Sequence, residues 1–280
     1  MRTSLLPLLL ALPLVQGCRT INCVDAPGPV VTRDLTVEPF TGVITEGAID
    51  VEIVQGPVQQ VKAEGPAAAL DLLSTQVKAG VWQVRTTECF KSDVDLVVRI
   101  TLPTLDRVGV EGSGDVHCSG AFAGERLEVT VDGSGDITAP VSARTLKVSI
   151  QGSGDVALSG TAGEADLSIA GSGNVEGLEL SAARANVEIM GSGDVALTAV
   201  EVLNARIMGS GNVRYRGTPK VSSTITGSGA VTPALSCPPR KKTPLRDRYS
   251  ARSTITGRSD LITPDRSALS RPGIMSTQMV

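Results

Sequence analysis

Ile150-Gln151-Gly152-Ser153-Gly154-Asp155-Val156 is one copy of a unit that the chain writes seven times. Gly-Ser-Gly followed by Asp, Asn or Ala begins at Gly112, Gly133, Gly152, Gly171, Gly191, Gly209 and Gly227, at steps of 21, 19, 19, 20, 18 and 18 residues. The second glycines are Gly114, Gly135, Gly154, Gly173, Gly193, Gly211 and Gly229. Two residues before each copy stand Val110, Val131, Ile150, Ile169, Ile189, Ile207 and Ile225. Four residues after its first glycine stand Val116, Ile137, Val156, Val175, Val195, Val213 and Val231. A period fixed near one length, with β-branched flanks, is the signature of a repeat architecture.

Between the tetrads, apolar and polar residues alternate, as in Leu127-Glu128-Val129-Thr130-Val131 and Leu146-Lys147-Val148-Ser149-Ile150. Period-two alternation reads as a strand with one buried face. Each unit is therefore strand, glycine corner, strand and a looser return. At roughly 3.3 Å per residue a unit closes one coil, and stacked coils bring equivalent residues about 4.8 Å apart. The expected fold is all-β: a parallel β-helix, or solenoid, with coils of about 19 residues around a column of Val, Ile and Leu. An antiparallel meander of the same period would not need the same corner in every unit. Glycine suits that corner because it reaches positive φ without a Cβ clash.

The 280 residues carry a net charge of −3, 30 glycines and only 2% aromatics. The scarcity of aromatics and the acidic body argue against nucleic acid as a partner. The tail from Pro238 holds nine basic and three acidic residues, which leaves −9 for the rest of the chain. It lacks apolar periodicity and reads as a basic disordered tail over 238–280.

At the other end, Arg2 and the apolar run Leu5 to Val15 lead to Val15-Gln16-Gly17-Cys18. The run is too short to span a membrane and reads as a secretory signal over 1–17. The final residues look like a lipobox, with Cys18 acylated and 18–29 a lipid-anchored tether. By likeness to Gram-negative lipoproteins, Arg19 after that cysteine favours the outer membrane.

The folded domain is expected over 30–237, with its repeats over 105–233. Before the repeats, strand-like runs cover Val30 to Val37, Val43 to Val54, Gln59 to Ala63, Val77 to Thr86 and Val94 to Leu102, with a short helical turn within Ala67 to Leu73. Trp82 is expected to pack in this part, and a ligand platform is its alternative.

The fourth tetrad position reads Asp115, Asp136, Asp155, Asn174, Asp194, Asn212, Ala230. Its plainest use is a local Asx-turn bond to the backbone at the corner. Asp115, Asp136, Asp155 and Asp194 are also calcium candidates, although the tetrad departs from the Gly-Gly-x-Gly-x-Asp calcium repeat. Paired carboxylates could cleave a glycoside, but a uniform column gives them no distinct environments. His117, the one histidine, is expected on the surface. No Gly-Lys-Ser/Thr accompanies the glycines, so they are not a phosphate loop. No cofactor is expected.

An exported chain permits disulfides. Cys23 with Cys89 is the preferred pair and Cys89 with Cys118 its rival. Cys118 and Cys237 lie six coils apart, about 29 Å at one coil rise each, too far to bridge. Cys118 has inward parity and could be a buried thiol.

Gly47-Ala48-Ile49-Asp50-Val51 leading to Gln55-Gly56, then Ile100-Thr101-Leu102-Pro103-Thr104-Leu105, then repeated GSGD and GSGN, resembles the head GIN domain of auto-transporter adhesins. The resemblance covers roughly residues 30 to 235. It implies a right-handed β-helix and an adhesive or surface-binding role without catalytic residues. The namesake segment reads Gly-Ala-Ile-Asp here, and the basic tail lies outside the pattern. The expected protein is thus a non-enzymatic envelope lipoprotein, held at the membrane by its lipid, with a glycan or an envelope protein as ligand. A carbohydrate-active enzyme and a purely structural envelope protein are the alternatives.

Overall fold

The computed structural model describes residues 23–120 and 122–234. The segment expected to be a signal, Cys18, Cys237 and the basic tail lie outside them. The described residues are nearly all strand. They form a parallel β-solenoid, the architecture that the repeated corner predicts.

The first strands build the base: β1 (Val24–Asp25), β2 (Val30–Asp34), β3 (Gly42–Gly47), β4 (Asp50–Gln55) and β5 (Gln60–Pro66). A short helix, α1 (Ala67–Asp71), precedes β6 (Val77–Lys78), β7 (Val81–Val84), β8 (Phe90–Lys91) and β9 (Val97–Leu102). The coils follow as β10 (Arg107–Gly112), β11 (Val116–Ser119), β12 (Phe122–Gly133), β13 (Ile137–Gly152), β14 (Val156–Gly171) and β15 (Val175–Gly191). They end with β16 (Val195–Gly209), β17 (Asn212–Arg216), β18 (Lys220–Gly227) and β19 (Ala230–Pro233).

Chain order and stacking order differ at the base. β7 and β9 form the lowest parallel level, with β3 pairing on β7 and β4 on β9. β10 and β11 then stack on β3 and β4 in register. The chain between β4 and β10 has gone back underneath its own first coil. There β5 runs antiparallel to β9, and β2 antiparallel to β5. Antiparallel pairing among the described residues is confined to this base, where it covers edges that would otherwise be open to other chains.

Two sequence runs divide. Val43 to Val54 bends at Gly47 (φ +87°) into β3 and β4. Val77 to Thr86 folds back through Ala79 and Gly80, both at positive φ, into β6 and β7. The expected loose return is also absent from the upper coils. β13, β14 and β15 each run from one corner to the next as a single bent strand of 16 or 17 residues.

The interior column is continuous. Val110, Val131, Ile150, Ile169, Ile189 and Ile207 stack in register and are fully or almost fully buried. Each contributes about 1.5–3 kcal/mol through burial of its side chain. One level lower the same place is held by Thr45, whose hydroxyl donates to the Ile49 carbonyl at 2.8 Å. That bond satisfies the one buried polar side chain among the described residues. At the far end Ile225 occupies the position but is 40% exposed. Trp82 is completely buried, packs at a 45° tilt against Phe40 and donates its indole N–H to the Ser74 carbonyl at 3.0 Å. It is core and offers no platform.

Cys118 is buried on the inward side of β11. Desolvation pushes its thiol up to about 12. An unfolded cysteine titrates near ~8.5. The folded state therefore holds this proton more tightly, and the resulting stability is complete below ~8.5 and is lost as pH rises toward 12. Cys118→Ala is expected to remove this share of the alkaline loss. Urea midpoints of both proteins at pH 8 and pH 11 check it, and identical pH slopes would refute it.

Candidate functional site

The corner and the sheet face before it both offer ordered polar groups, and they differ in what those groups already do. At each of the seven Gly-Ser-Gly corners the first glycine sits at φ between +131° and +146°. From Gly112 to Gly209 its carbonyl accepts from the serine N–H one coil above, as Gly133 does from Ser153 at 2.8 Å.

The Asp/Asn column does not make the local Asx turn. Each Oδ1 accepts the backbone N–H of its counterpart in the next coil: Asp115 from Asp136 at 2.9 Å, Asp136 from Asp155 at 2.8 Å and Asp155 from Asn174 at 2.8 Å. Asn174 and Asp194 continue the ladder to Asp194 and Asn212. Stacking puts that upper N–H within reach of the side chain, and the long-range bond replaces the local one. Asn174 and Asn212 also donate their amides to Asp155 and Asp194, each at 2.9 Å. These amides interrupt what would be an unbroken row of like charges.

The ladder starts lower than the seven tetrads. Asp50 accepts from the N–H of Asp115 at 2.9 Å, and Gly47 pairs in register with Gly112. Gly47-Ala48-Ile49-Asp50 is an eighth corner. The glycine-first, aspartate-fourth spacing was its sequence signal.

Among the described residues, no cluster of three or more His, Cys, Asp or Glu is arranged to hold a metal. The calcium candidates Asp115, Asp136, Asp155 and Asp194 each spend one carboxylate oxygen on the backbone above. Asp155→Asn keeps that acceptor and is expected to leave stability within about 0.5 kcal/mol, whereas Asp155→Ala loses two hydrogen bonds and costs about 1–2 kcal/mol. Urea unfolding of the two variants checks the order, and equal losses would contradict it.

The second surface is the outward side of the strands that enter the corners. In register, one row runs Arg107, Glu128, Lys147, Asp166, Asn186, Asn204, Ser222. The adjacent outward row runs Gly109, Thr130, Ser149, Ser168, Glu188, Arg206, Thr224. Small residues over four consecutive coils leave a trough beside the longer side chains of the first row. From Ser168 upward the trough opens into a hollow of about 540 Å³, with Lys147, Asp166, Asn186, Glu188 and Arg206 also in its wall. A second, of about 620 Å³, covers the lower part around Ile44, Arg107 and Glu128.

Charges along the trough are locally balanced. Arg107 and Lys147 flank Glu128 at 2.7 and 3.7 Å. The Asn186 amide donates to Asp166 at 2.8 Å, and Asn204 donates to Asn186 at 3.0 Å. Arg206 lies 3.9 Å from Glu188. The result is a shallow surface dense in donors and acceptors, with equal numbers of cations and carboxylates on its two rows, Arg126 as a further cation 3.9 Å from Glu128, and no aromatic ring on either row.

Elsewhere, His117 is exposed on β11. Cys23 and Cys89 form a disulfide between β1 and the segment before β8, with Cα atoms 4.8 Å apart. Cys118 is a free, buried thiol. No helix among the described residues is long and apolar enough to cross a membrane.

The sequence profile of the family described as "Putative auto-transporter adhesin, head GIN domain" matches residues 39–219. A solved structure of a "putative adhesin" from Bacteroides fragilis superposes with a TM-score of 0.70 at 26% identity, covering 75% of this chain and 100% of that one. A "putative lipid binding protein" from Parabacteroides distasonis gives 0.64 at 23% identity, covering 76% and 100%. A "putative adhesin" from Parabacteroides merdae gives 0.58 at 22%, covering 76% and 99%. No protein of curated function matches the chain.

Proposed function

Because the chain belongs to the head GIN domain family of auto-transporter adhesins, matched over residues 39–219, we propose that it is a non-enzymatic, adhesin-like envelope protein. Its ligand site is the trough, and the ligand is a neutral, hydroxyl-rich chain such as a glycan. The observation that carries this reading is the register of Thr130, Ser149 and Ser168 beside Lys147, Asp166 and Asn186. Donors and acceptors there recur at each coil, which suits a ligand that is itself a repeating polar chain.

Charge balance disfavours polyanions, whose binding draws on an excess of Lys and Arg. The lack of aromatic rings on the trough rows means hydrogen bonding must dominate over stacking. Catalysis would need two carboxyls held in unlike environments. Asp166 and Glu188, the carboxylates on the upper trough, are each engaged by an amide or a guanidinium.

The envelope location in this reading rests on the apolar run Leu5 to Val15 followed by Cys18. Acylated at Cys18, the chain is anchored in the outer membrane of a Gram-negative cell. A glycan array probed with the full chain tests the function. Retention on neutral glycans, with no preference for sulfated or uronic acid chains and no shortening of the bound glycan, is expected. Absence of binding across the array, or release of shortened glycan, would overturn it.

A further inference from the structure

Resting on the acylated Cys18 of that reading, we propose that the Cys23–Cys89 disulfide fixes how the solenoid stands on the lipid surface. It stands base down, with the upper trough outermost. The premise about Cys18 and the inference about orientation are separable, and the test below separates them.

Cys23 is five residues after Cys18. Five residues reach at most ~17 Å when fully extended. The disulfide joins Cys23 to Cys89. In sequence Cys89 lies between β7 and β9, the two strands of the lowest parallel level. The lipid-bearing end is therefore covalently tied to the base, and the rest of the solenoid rises away from it. Above β7 the levels are β3, β10, β12, β13, β14, β15, β16 and β18, so β18 stands eight rises above the base. Eight rises are about 38 Å.

Without the disulfide, Cys23 is held near the base only by β1 and the buried Ala26 beside it. β1 has two residues and pairs only with Phe90 and Lys91 of β8. Its flanking bonds are the Val24 N–H to the Cys89 carbonyl and the Ala26 N–H to the Lys91 carbonyl, each 2.9 Å. Such bonds are worth about 1 kcal/mol each and open readily. The next strand, β2, also belongs to the base through its pairing with β5, but it begins at Val30, twelve residues after Cys18, so the tether is longer. Twelve residues reach up to ~41 Å, about the height of the coil stack. The solenoid could then lie on its side.

Charge does not substitute for the covalent tie. The exposed charges around it are Asp25, Glu88, Asp93 and Asp95 against Lys91. That acidic set is not drawn to an anionic surface. The Cys89 residue itself is exposed, so a reductant can reach the bond.

The test uses the full-length lipidated chain in phosphatidylcholine vesicles carrying a headgroup acceptor dye. A fluorescent residue is placed at Ser92, beside the base, or at Thr224, on β18. Palmitate incorporation and vesicle retention, both lost in Cys18→Ser, establish the premise independently. With the disulfide intact, transfer is expected to be at least about fivefold more efficient from Ser92 than from Thr224, given a height difference of about 38 Å. In a Cys23→Ser, Cys89→Ser chain the ratio is expected to fall toward one while the far-UV spectrum is kept. Should that variant misfold, a ten-residue Gly-Ser insertion after Arg19 with the disulfide intact provides the comparator, because it leaves the lowest level tied to Cys23. This insertion is expected to lower the ratio by lengthening the tether. A ratio near one in the native chain, or one unchanged by both alterations, would overturn the proposal.

Discussion

Gly152→Ala is expected to lower the unfolding free energy by about 3–5 kcal/mol, the sum of a strained positive φ and an overpacked contact. Gly152 sits at φ +131°, and a Cβ there would be driven into the carbonyl oxygen of Gly133 in the coil below. That carbonyl already accepts from Ser153 and Gly154, so it cannot retreat without breaking the corner ladder. The matching control is Gly124→Ala, where the nearest atom to an added Cβ is 3.7 Å away. It is expected to change stability by less than about 1 kcal/mol. Equal losses in urea unfolding for the two variants would contradict the account of the corner.

Ile169→Ala is expected to cost about 2–5 kcal/mol, the usual loss for a truncated core aliphatic. Ile169 is completely buried and lies between Ile150 and Ile189 in register. The coils above and below are each held by their own corner, so the cavity cannot close by collapse. Ile225→Ala removes the same atoms from the last level, where the side chain is 40% exposed. There the loss should be only about 1–2 kcal/mol, in proportion to the smaller area buried. A similar cost at both positions would mean that the column does not end where the coils do.

The solenoid was legible because its corner cannot vary. A Cβ at Gly154 would meet the backbone of Gly135 and the Val131 side chain, and Gly135, Gly173 and Gly193 face the same crowding from the coil below. Sequence and structure are therefore tied at those positions, and the period shows through. The base was less legible for the converse reason. Below Ile49 no glycine corner is stacked; instead the Asp50 N–H donates to the Leu96 carbonyl. Glycine is then not required at the third place, and the eighth corner reads Gly-Ala-Ile-Asp. The strands inserted before β10 also move its partner 65 residues away, far from the regular step.

The trough was not legible at all. Serine and threonine at outward strand positions are ordinary residues when read singly. Only the register shows that Thr130, Ser149 and Ser168 share one line, or that Asn186 bonds Asp166. The aspartate column stood out in sequence and the trough did not, although the column's side chains are occupied by the coil above.

The central claim is that ligand is held in the trough while the corner column is structural. Glycan binding by Ser149→Arg, Ser168→Arg and by Asp136→Asn, Asp155→Asn chains, at equal folded fraction, tests this most directly. The account predicts that the first pair, which fills the trough, loses binding at least tenfold, and that the second pair binds like the unaltered chain. Loss of binding in the aspartate variants with retention in the arginine variants would contradict it.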